Sequence, residues 1–248
     1  MKKFDENNYE FNASSKTGIY LIHGFSSTTY EMKKLGEFLA TKGYHIVINN
    51  LPGHGTTIED CNKTTFNQWL DFSKQEFAKL CSKSDTTYII GCSMGGAIAL
   101  YLASIFPTNG VIVGGTYLKL SFYNKYINPI LCYFIKIREK KLTYPKAIRD
   151  SVSWYGYDAY PLIAYNELKK LCIFVRNNLH QLTKPSLIIH SKSDRMSSRD
   201  NVDIIINNIQ SETKEVFEVN HAHHNLFDTN KDTHIIFEKI YVFIKNNI

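Results

Sequence analysis

Short runs of apolar and β-branched residues recur along the chain, separated by segments with helical spacing. The runs predict buried strands at residues 19–22, 44–48, 88–90, 111–113, 187–189 and 216–219. The helical segments lie around residues 28–42, 62–83, 96–106 and 198–209, with a final helix at 232–247. Strands that are almost continuously apolar are typical of a parallel sheet covered on both faces. The alternation therefore predicts an α/β fold with a doubly wound, mostly parallel sheet.

Residues 117–180 break this alternation. The first part of this stretch is unusually aromatic and shows no strand bounded by turns. We expect residues 117–180 to form a small helical cap inserted over the strand ends, with residues 1–116 and 181–248 forming the sheet core. The alternative is that this stretch forms ordinary core helices packed on the sheet.

The composition narrows the functional classes. A chain of 248 residues suits one domain with a small insertion. Its net charge of +6 is spread along the sequence, and the densest basic patch, 136–141, is typical of a solvated helix face, which argues against nucleic acid as a partner. No stretch approaches the ~18 uncharged apolar residues of a membrane-spanning helix. The first residues are charged without a following apolar run, so we expect no signal peptide.

The five cysteines lie far apart and form no C-x-x-C pair. An odd number without framework spacing predicts free thiols in a reducing compartment, so we expect a cytoplasmic protein. We interpret Cys92 as a packing residue. No cluster of Cys, His and carboxylate residues at metal-ligand spacing supports a metal site, and we expect neither a metal nor an organic cofactor.

The strongest functional signal is Gly91-Cys92-Ser93-Met94-Gly95, which follows a predicted strand and opens a predicted helix. Strand, Gly-x-Ser-x-Gly and helix together predict a nucleophile elbow, a sharp turn that exposes a reactive serine above the sheet. Glycine at the flanking positions lets the strand and the helix approach closely. We therefore expect Ser93 to be the nucleophile, held in a strained backbone conformation.

A serine nucleophile needs a base, almost always a histidine oriented by a carboxylate. In this strand-turn-helix context the chain order is serine, acid, histidine. Asp194 follows the 187–189 strand by a short loop, whereas Asp200 and Asp203 fall on the next helix. After the 216–219 strand come three histidines; we favour His223 as the base and keep the alternatives, His221 and His224.

An acyl-transfer site also needs two backbone N–H groups that bind the oxyanion. Met94, directly after the nucleophile, is expected to supply one, and Phe25 in the His23-Gly24-Phe25 loop the other. We expect His23 to hold this loop by hydrogen bonding and not to act as a base. We interpret His54, in the Pro-Gly-His-Gly loop, as a structural histidine.

Together these residues resemble the α/β-hydrolase superfamily, and within it the small bacterial carboxylesterases and monoacylglycerol lipases. The matching positions are His23-Gly24-Phe25, 53–56, Thr64-Thr65-Phe66 with Trp69, 91–96, Asp194, and His223 with Asp228. The resemblance implies an α/β-hydrolase fold with a cap and no cofactor. In that family the catalytic histidine precedes an apolar stretch and an aspartate. The resemblance therefore also implies His223 as the base. The sequence departs from the family at Ala222, His224 and Met196.

We therefore expect a serine ester hydrolase that acts on short- to medium-chain carboxylic esters, including monoacylglycerols, through an acyl-enzyme on Ser93. Thioesterase, lysophospholipase and acyltransferase activity on the same triad are the alternatives, followed by a non-catalytic binding protein. The aromatic cap suits an apolar acyl chain and could also touch a membrane transiently. Asp158 is a candidate contact for a glycerol hydroxyl, although a solvated cap position is the simpler interpretation.

Overall fold

A seven-stranded sheet forms the centre of the computed structural model, which describes residues 3–140, 155–228 and 230–247. The order of its strands is β1-β3-β2-β4-β5-β8-β9, and β1 alone runs antiparallel to its neighbour. Strands β6 and β7 pair separately. The strand bounds are β1 (Tyr9–Phe11), β2 (Thr17–Ile22), β3 (His45–Ile48), β4 (Thr86–Cys92), β5 (Gly110–Gly114), β6 (Ile137–Glu139), β7 (Ala159–Pro161), β8 (Ser186–Ser191) and β9 (Lys214–Val219).

Helices cover both faces of the sheet, because successive side chains of a strand point to opposite faces. Tyr20 and Ile22 belong to the same buried cluster as residues of α3, α4, α6 and α7, whereas Ile19 and Leu21 belong to a second cluster with residues of α1 and α8. A π-helical turn (Tyr123–Ile127) precedes α5, and a 3₁₀ turn (Leu179–Gln181) follows α6. The helix bounds are α1 (Tyr30–Thr41), α2 (Ile58–Lys63), α3 (Phe66–Cys81), α4 (Met94–Ile105), α5 (Asn128–Leu131), α6 (Leu162–Asn178), α7 (Asp200–Asn208) and α8 (Thr233–Asn246).

The six predicted strands are confirmed as β2, β3, β4, β5, β8 and β9, and the predicted doubly wound sheet is confirmed with them. The predicted helix around 62–83 is confirmed as α3, and the short α2, which was not predicted as a separate helix, precedes it. Thr65 separates them because its hydroxyl accepts the Gln68 N–H while the Gln68 side chain accepts the Thr65 N–H, a capping box that starts a new helix. The pattern did not predict β1, a three-residue edge strand.

The segment predicted as a cap has two parts with different surroundings; its residues 141–154 lie outside the described residues. Helix α6 packs against α4, and its Leu171, Cys172 and Val175 are buried in the same cluster as residues of α3 and α4. The earlier part, around α5, exposes large apolar side chains: Phe122 is 72% and Tyr133 83% exposed. Helix α6 therefore contributes to the main core, to which the earlier part adds Leu118.

Candidate active site

Ser93 lies at the sharp turn between β4 and α4. Its φ of 53° and ψ of −114° are a strained conformation for a residue with a side chain, as the elbow predicts. The turn depends on close backbone contact, because a Cβ on Gly95 would lie closer than 3.0 Å to the carbonyl oxygens of Ile22, the last residue of β2, and of His23, which follows it. The strand, the turn and the helix together hold the Ser93 hydroxyl at the carboxyl edge of the sheet, in the wall of a cavity.

A continuous chain of hydrogen bonds leads from this hydroxyl to a buried carboxylate. Nε2 of His224 lies 2.9 Å from Oγ of Ser93, and Nδ1 of His224 lies 2.8 Å from Oδ2 of Asp194. The other carboxylate oxygen of Asp194 accepts the N–H groups of Met196 and Ser197, at 2.7 and 3.0 Å. With the proton on Nδ1, facing Asp194, Nε2 is free to accept the serine proton.

The geometry contradicts the choice of His223 and places the alternative, His224, between the serine and the acid. His223 is exposed at the rim of the same cavity, and His221 is exposed with its N–H bonded to Asp232. The buried Ala222, whose N–H also bonds Asp232, fixes the loop so that His224 turns inward. The three hydrogen-bonded residues follow one another in the chain in the order serine, acid, histidine, with the histidine one position later than the one chosen.

The choice of His223 relied on its position before Asp228. In the structure, Asp228 makes contacts of a different kind. Asp228 is buried and forms ion pairs with Lys3 and Lys34, at 3.0 and 3.1 Å, and it accepts a hydrogen bond from Tyr155. It ties the loop to the N-terminal segment and to α1. The other carboxylates also lie elsewhere: Asp200 pairs with Lys119, Asp203 pairs with Arg199, and Asp158 is exposed.

The surroundings of His224 and Asp194 determine the pKa of each side chain. Burial disfavours the charged form of His224, but the charge of Asp194 and its hydrogen bond outweigh burial and raise the pKa of His224 above its ordinary value of 6.5. Burial raises the pKa of Asp194. The charge of His224 and the hydrogen bonds that the Asp194 carboxylate accepts outweigh burial and hold this pKa below its ordinary value. Asp194 therefore remains ionised when His224 accepts a proton.

This raised pKa predicts the pH dependence of activity. The base must be neutral to accept the Ser93 proton, so kcat/KM for an ester should fall about tenfold per pH unit below the pKa of His224. We expect the midpoint of this acid limb to lie above 6.5. Initial rates between pH 5 and 9, with the fraction of folded protein measured by circular dichroism at each pH, give the midpoint. A midpoint below 6.5 would contradict the stabilisation of the imidazolium by Asp194.

Two buried histidines hold the loop that carries Phe25. Nδ1 of His23 lies 2.8 Å from the Gly24 carbonyl, and its Nε2 accepts the Leu51 N–H at 3.1 Å. Nε2 of His54 accepts the Ser26 N–H, also at 3.1 Å. Burial lowers the pKa of His23 to about 4 and that of His54 to about 3, so both are neutral at pH 7. Their predicted roles, holding the loop and maintaining structure, are confirmed.

The N–H groups predicted for the oxyanion remain available. Neither the Phe25 nor the Met94 N–H donates a hydrogen bond to another group in the described part of the chain. The N–H groups on either side of Phe25 are used, by Glu31 for Gly24 and by His54 for Ser26. Met94 is the first residue of α4, where N–H groups have no partner within the helix. Both donors therefore belong to segments that meet at Ser93.

The cavity in front of Ser93 has a volume of about 260 Å³. Much of its wall is aromatic, with Phe25, Tyr117, Tyr160 and Tyr165, while Arg195 and Lys140 add positive charge. Nζ of Lys140 donates to Oγ of Ser26 at 3.0 Å, and burial lowers the pKa of Lys140 to about 8. The most aromatic part of the predicted cap, around α5, lies on the outer surface instead.

Sequence reasoning missed the charged residues of this cavity, which include Glu31 and Lys140. Glu31 stands in the first turn of α1, where an acidic residue is ordinarily a solvated partner of the helix dipole, so the pattern contained no signal for its burial. Cys92, interpreted as a packing residue, is fully buried, and its Sγ lies 3.6 Å from Oε1 of Glu31. All five cysteines are free thiols, as predicted.

Within residues 3–140, 155–228 and 230–247, no helix combines the length and the apolar character needed to cross a membrane. Over the same part of the chain, no three or more His, Cys, Asp and Glu side chains are grouped so that they could hold a metal ion.

Comparison with known proteins agrees with this geometry. The family model described as serine aminopeptidase, S33, matches residues 13–232. A thermostable monoacylglycerol lipase from Bacillus sp. (strain H-257) is 29% identical over 223 residues, which cover 84% of this chain and 82% of the relative. A carboxylesterase from Bacillus subtilis (strain 168) is 21% identical over 246 residues, covering 99% and 98%.

The fold is also shared with solved structures. A structure described under LipS and LipT, two metagenome-derived lipolytic enzymes, superposes with a TM-score of 0.87 at 24% identity, covering 97% of this chain and 98% of the other. At an identity of 24%, this similarity shows a shared fold alone. The chain belongs to the serine aminopeptidase S33 family of the α/β-hydrolase superfamily, and it is a serine hydrolase of the carboxylesterase and monoacylglycerol lipase type.

Proposed function

We propose that this chain hydrolyses carboxylic esters with short to medium acyl chains, including monoacylglycerols, with Ser93, His224 and Asp194 as its catalytic residues. The observation that carries the proposal is the hydrogen-bonded chain from Ser93 through His224 to Asp194 beside a largely aromatic cavity. The names of the two relatives, a monoacylglycerol lipase and a carboxylesterase, support the same substrate class.

Acylation follows from the positions of the atoms. Oγ of Ser93 attacks the ester carbonyl carbon while its proton moves to Nε2 of His224, 2.9 Å away. The carbonyl oxygen becomes an oxyanion, which the N–H groups of Phe25 and Met94 bind. The tetrahedral intermediate then collapses, the bond to the alkoxide breaks, and His224 donates its proton to the leaving alcohol. Asp194 remains an anion and holds Nδ1 throughout.

Deacylation repeats these steps with water in place of the serine. His224, again neutral, takes a proton from a water molecule that attacks the acyl carbon. The second tetrahedral intermediate uses the same two N–H groups and expels Ser93, which recovers its proton from His224. All proton transfers therefore pass through one nitrogen atom, Nε2 of His224.

The cavity favours a modest acyl group. A volume of about 260 Å³ lies near the lower end of the ~300–1,000 Å³ typical of ligand pockets. Aromatic walls stabilise a bound acyl chain through burial, which contributes about 0.8 kcal/mol per methylene. Asp158 is exposed and is not among the residues that line the cavity, which favours the interpretation as a solvated position.

A substrate panel tests the proposal. The purified chain and its Ser93→Ala variant are assayed with p-nitrophenyl esters from C2 to C16, monoacylglycerols, acyl-thioesters and lysophospholipids. We expect the highest kcat/KM on a short- or medium-chain ester and no activity above background in Ser93→Ala. A preference for thioesters or lysophospholipids would favour those alternative activities of the same triad. No turnover of any substrate would leave the binding-protein alternative.

The segment between β5 and β7 supports a second proposal, transient contact with a membrane. We define the cap surface as its exposed apolar residues: Phe122, Tyr126, Ile127, Ile130, Tyr133, Phe134 and Ile135. The exposed Lys125, Lys136 and Arg138 stand beside it. Clustered exposed apolar side chains mark interaction sites, and a basic rim favours anionic lipid. The cap itself, as residues 117–180, remains a proposal.

Charge on the cap surface should abolish this contact. In the double variant Tyr133→Asp and Phe134→Asp, we expect co-sedimentation with vesicles of phosphatidylcholine and phosphatidylserine to fall at least fivefold, because both side chains are more than 80% exposed in the structure. Hydrolysis of a soluble short-chain ester should stay unchanged. The matched control is Lys192→Asp and Lys231→Asp, two exposed positions in loops outside this segment. Unaltered sedimentation of the cap variant would contradict the proposed contact.

We also propose a cytoplasmic location, supported by the five free thiols, because cysteines stay reduced in that compartment. Labelling with a thiol reagent after denaturation under non-reducing conditions tests this. Protein taken directly from cells should show five reactive thiols, and a lower number would indicate oxidation.

A further inference from the structure

Glu31 is a buried carboxyl group directly behind the loop that carries Phe25. Glu31 is 2% exposed, and it forms part of the cavity wall together with Ser93 and His224. Oε2 accepts the Gly24 N–H at 2.6 Å, and Oε1 lies 3.6 Å from Sγ of Cys92. The proposed mechanism gives the Glu31 carboxyl no role. Burying a carboxyl costs free energy unless hydrogen bonds or charges around it compensate for the lost hydration.

The contact matters because of where Gly24 stands. Gly24 directly precedes Phe25, and its carbonyl belongs to the same planar peptide unit as the Phe25 N–H. His23 holds that carbonyl, at 2.8 Å from Nδ1, while Glu31 holds the preceding N–H. The two contacts lie on either side of the Gly24 α-carbon and so fix its two dihedral angles. The direction of the Phe25 N–H follows from them.

Gly24 itself has little room to move. A Cβ at this position would lie 3.1 Å from Oε2 of Glu31 and 3.2 Å from Cβ of Ser93. Gly24 is therefore packed closely against both the Glu31 carboxyl and the nucleophile. A shift of Glu31 changes the distance between the Phe25 N–H and the carbonyl that Ser93 attacks.

We propose that Glu31 is a positioning residue for the oxyanion site, acting through its hydrogen bond to the Gly24 N–H. The proposal rests on the function proposed above. Removing one oxyanion donor typically lowers kcat by about 10²–10³-fold. Because loss of Glu31 misdirects the Phe25 N–H and does not delete it, a smaller effect follows, about 10- to 100-fold on kcat. KM should change little, since the interaction strengthens only as negative charge develops on the oxygen.

A nearly isosteric pair separates the hydrogen bond from the packing. Glu31→Met fills the cavity wall without an acceptor, whereas the amide oxygen of Glu31→Gln can still accept the Gly24 N–H. Glu31→Ala is a second variant without an acceptor, and Glu37→Gln, exposed on the same helix, is the control. Thermal unfolding by circular dichroism establishes that each variant is folded. The readouts are kcat and KM for a p-nitrophenyl ester and the inhibition constant of an alkyl trifluoromethyl ketone, which adds to Ser93 and places an oxyanion in the site.

We expect kcat to fall 10- to 100-fold in Glu31→Met, with KM within threefold of wild type and with weaker ketone inhibition by the same factor as the loss of kcat/KM. Glu31→Gln should recover kcat to within about fivefold, and Glu37→Gln should match wild type. The proposal is overturned if folded Glu31→Met keeps kcat within twofold, if ketone inhibition stays unchanged while kcat falls, or if neither Glu31→Met nor Glu31→Ala folds. An inactive wild type would instead refute the proposed function.

Discussion

Replacing His224 with alanine is expected to lower kcat/KM for an ester by about a thousandfold or more. Nε2 of His224 is 2.9 Å from the Ser93 hydroxyl, and without it the serine has no group to take its proton at neutral pH. The loss should appear mainly in kcat, because the histidine acts as a proton acceptor and donor in the transition states. The measurement is steady-state kinetics on a p-nitrophenyl ester.

His223→Ala is the matched control for that experiment. The two histidines are adjacent, but His223 is exposed at the rim of the cavity, so its removal should change kcat/KM by less than about fivefold. The comparison distinguishes the base from its neighbour without depending on the absolute rate. A large loss in His223→Ala with activity retained in His224→Ala would restore the choice made from the sequence and contradict the geometry of the site.

Replacing Gly95 with alanine should damage the elbow itself. The added Cβ would lie closer than 3.0 Å to the carbonyl oxygens of Ile22 and His23, and neither can move without displacing β2. We expect the free energy of unfolding to fall by about 3 kcal/mol. The folded fraction should also lose at least about a hundredfold in kcat/KM, because Ser93 shifts relative to His224. Urea unfolding and kinetics on the same samples measure both effects.

Gly36→Ala is the control for this prediction. Gly36 is also a helical glycine, but the Cβ added there would meet the side-chain ends of Ile48, Leu21 and Ile46, which can adjust. Its cost should stay below about 1 kcal/mol, since alanine also has the better helix propensity. Equal destabilisation of the two variants would show that the close contact of Gly95 with β2 is not what fixes the turn.

The sequence could predict the sheet and the nucleophile because both rest on local patterns. Buried parallel strands are apolar throughout, and the elbow needs glycine at fixed distances from Ser93, so each signal is contained in a few consecutive residues. Asp194 could be predicted from the sequence for the same reason, because it follows its strand by a short loop. Family membership and the serine hydrolase type agree with the resemblance that these residues suggested.

The base and the cavity could not be predicted in the same way. His223 and His224 stand in an irregular loop with no periodicity, and the loop is fixed by Asp232, ten residues after Ala222, which accepts the Ala222 N–H. Glu31 has the sequence setting of an ordinary first-turn carboxylate, and only the tertiary fold brings it behind Gly24. These contacts join residues only ten and seven positions apart, but they bridge irregular loops, which have no period that a sequence pattern could show.

The central claim is that Ser93 is a nucleophile activated by His224. It is tested most directly by reacting the protein with an alkyl fluorophosphonate, in which the serine oxygen bonds to phosphorus and fluoride leaves, and then locating the adduct by mass spectrometry. We predict one adduct per chain, on Ser93, with complete loss of ester hydrolysis. The adduct should be absent in Ser93→Ala and form at least a hundredfold more slowly in His224→Ala. An adduct on another residue, or ester hydrolysis that survives full labelling, would contradict the account.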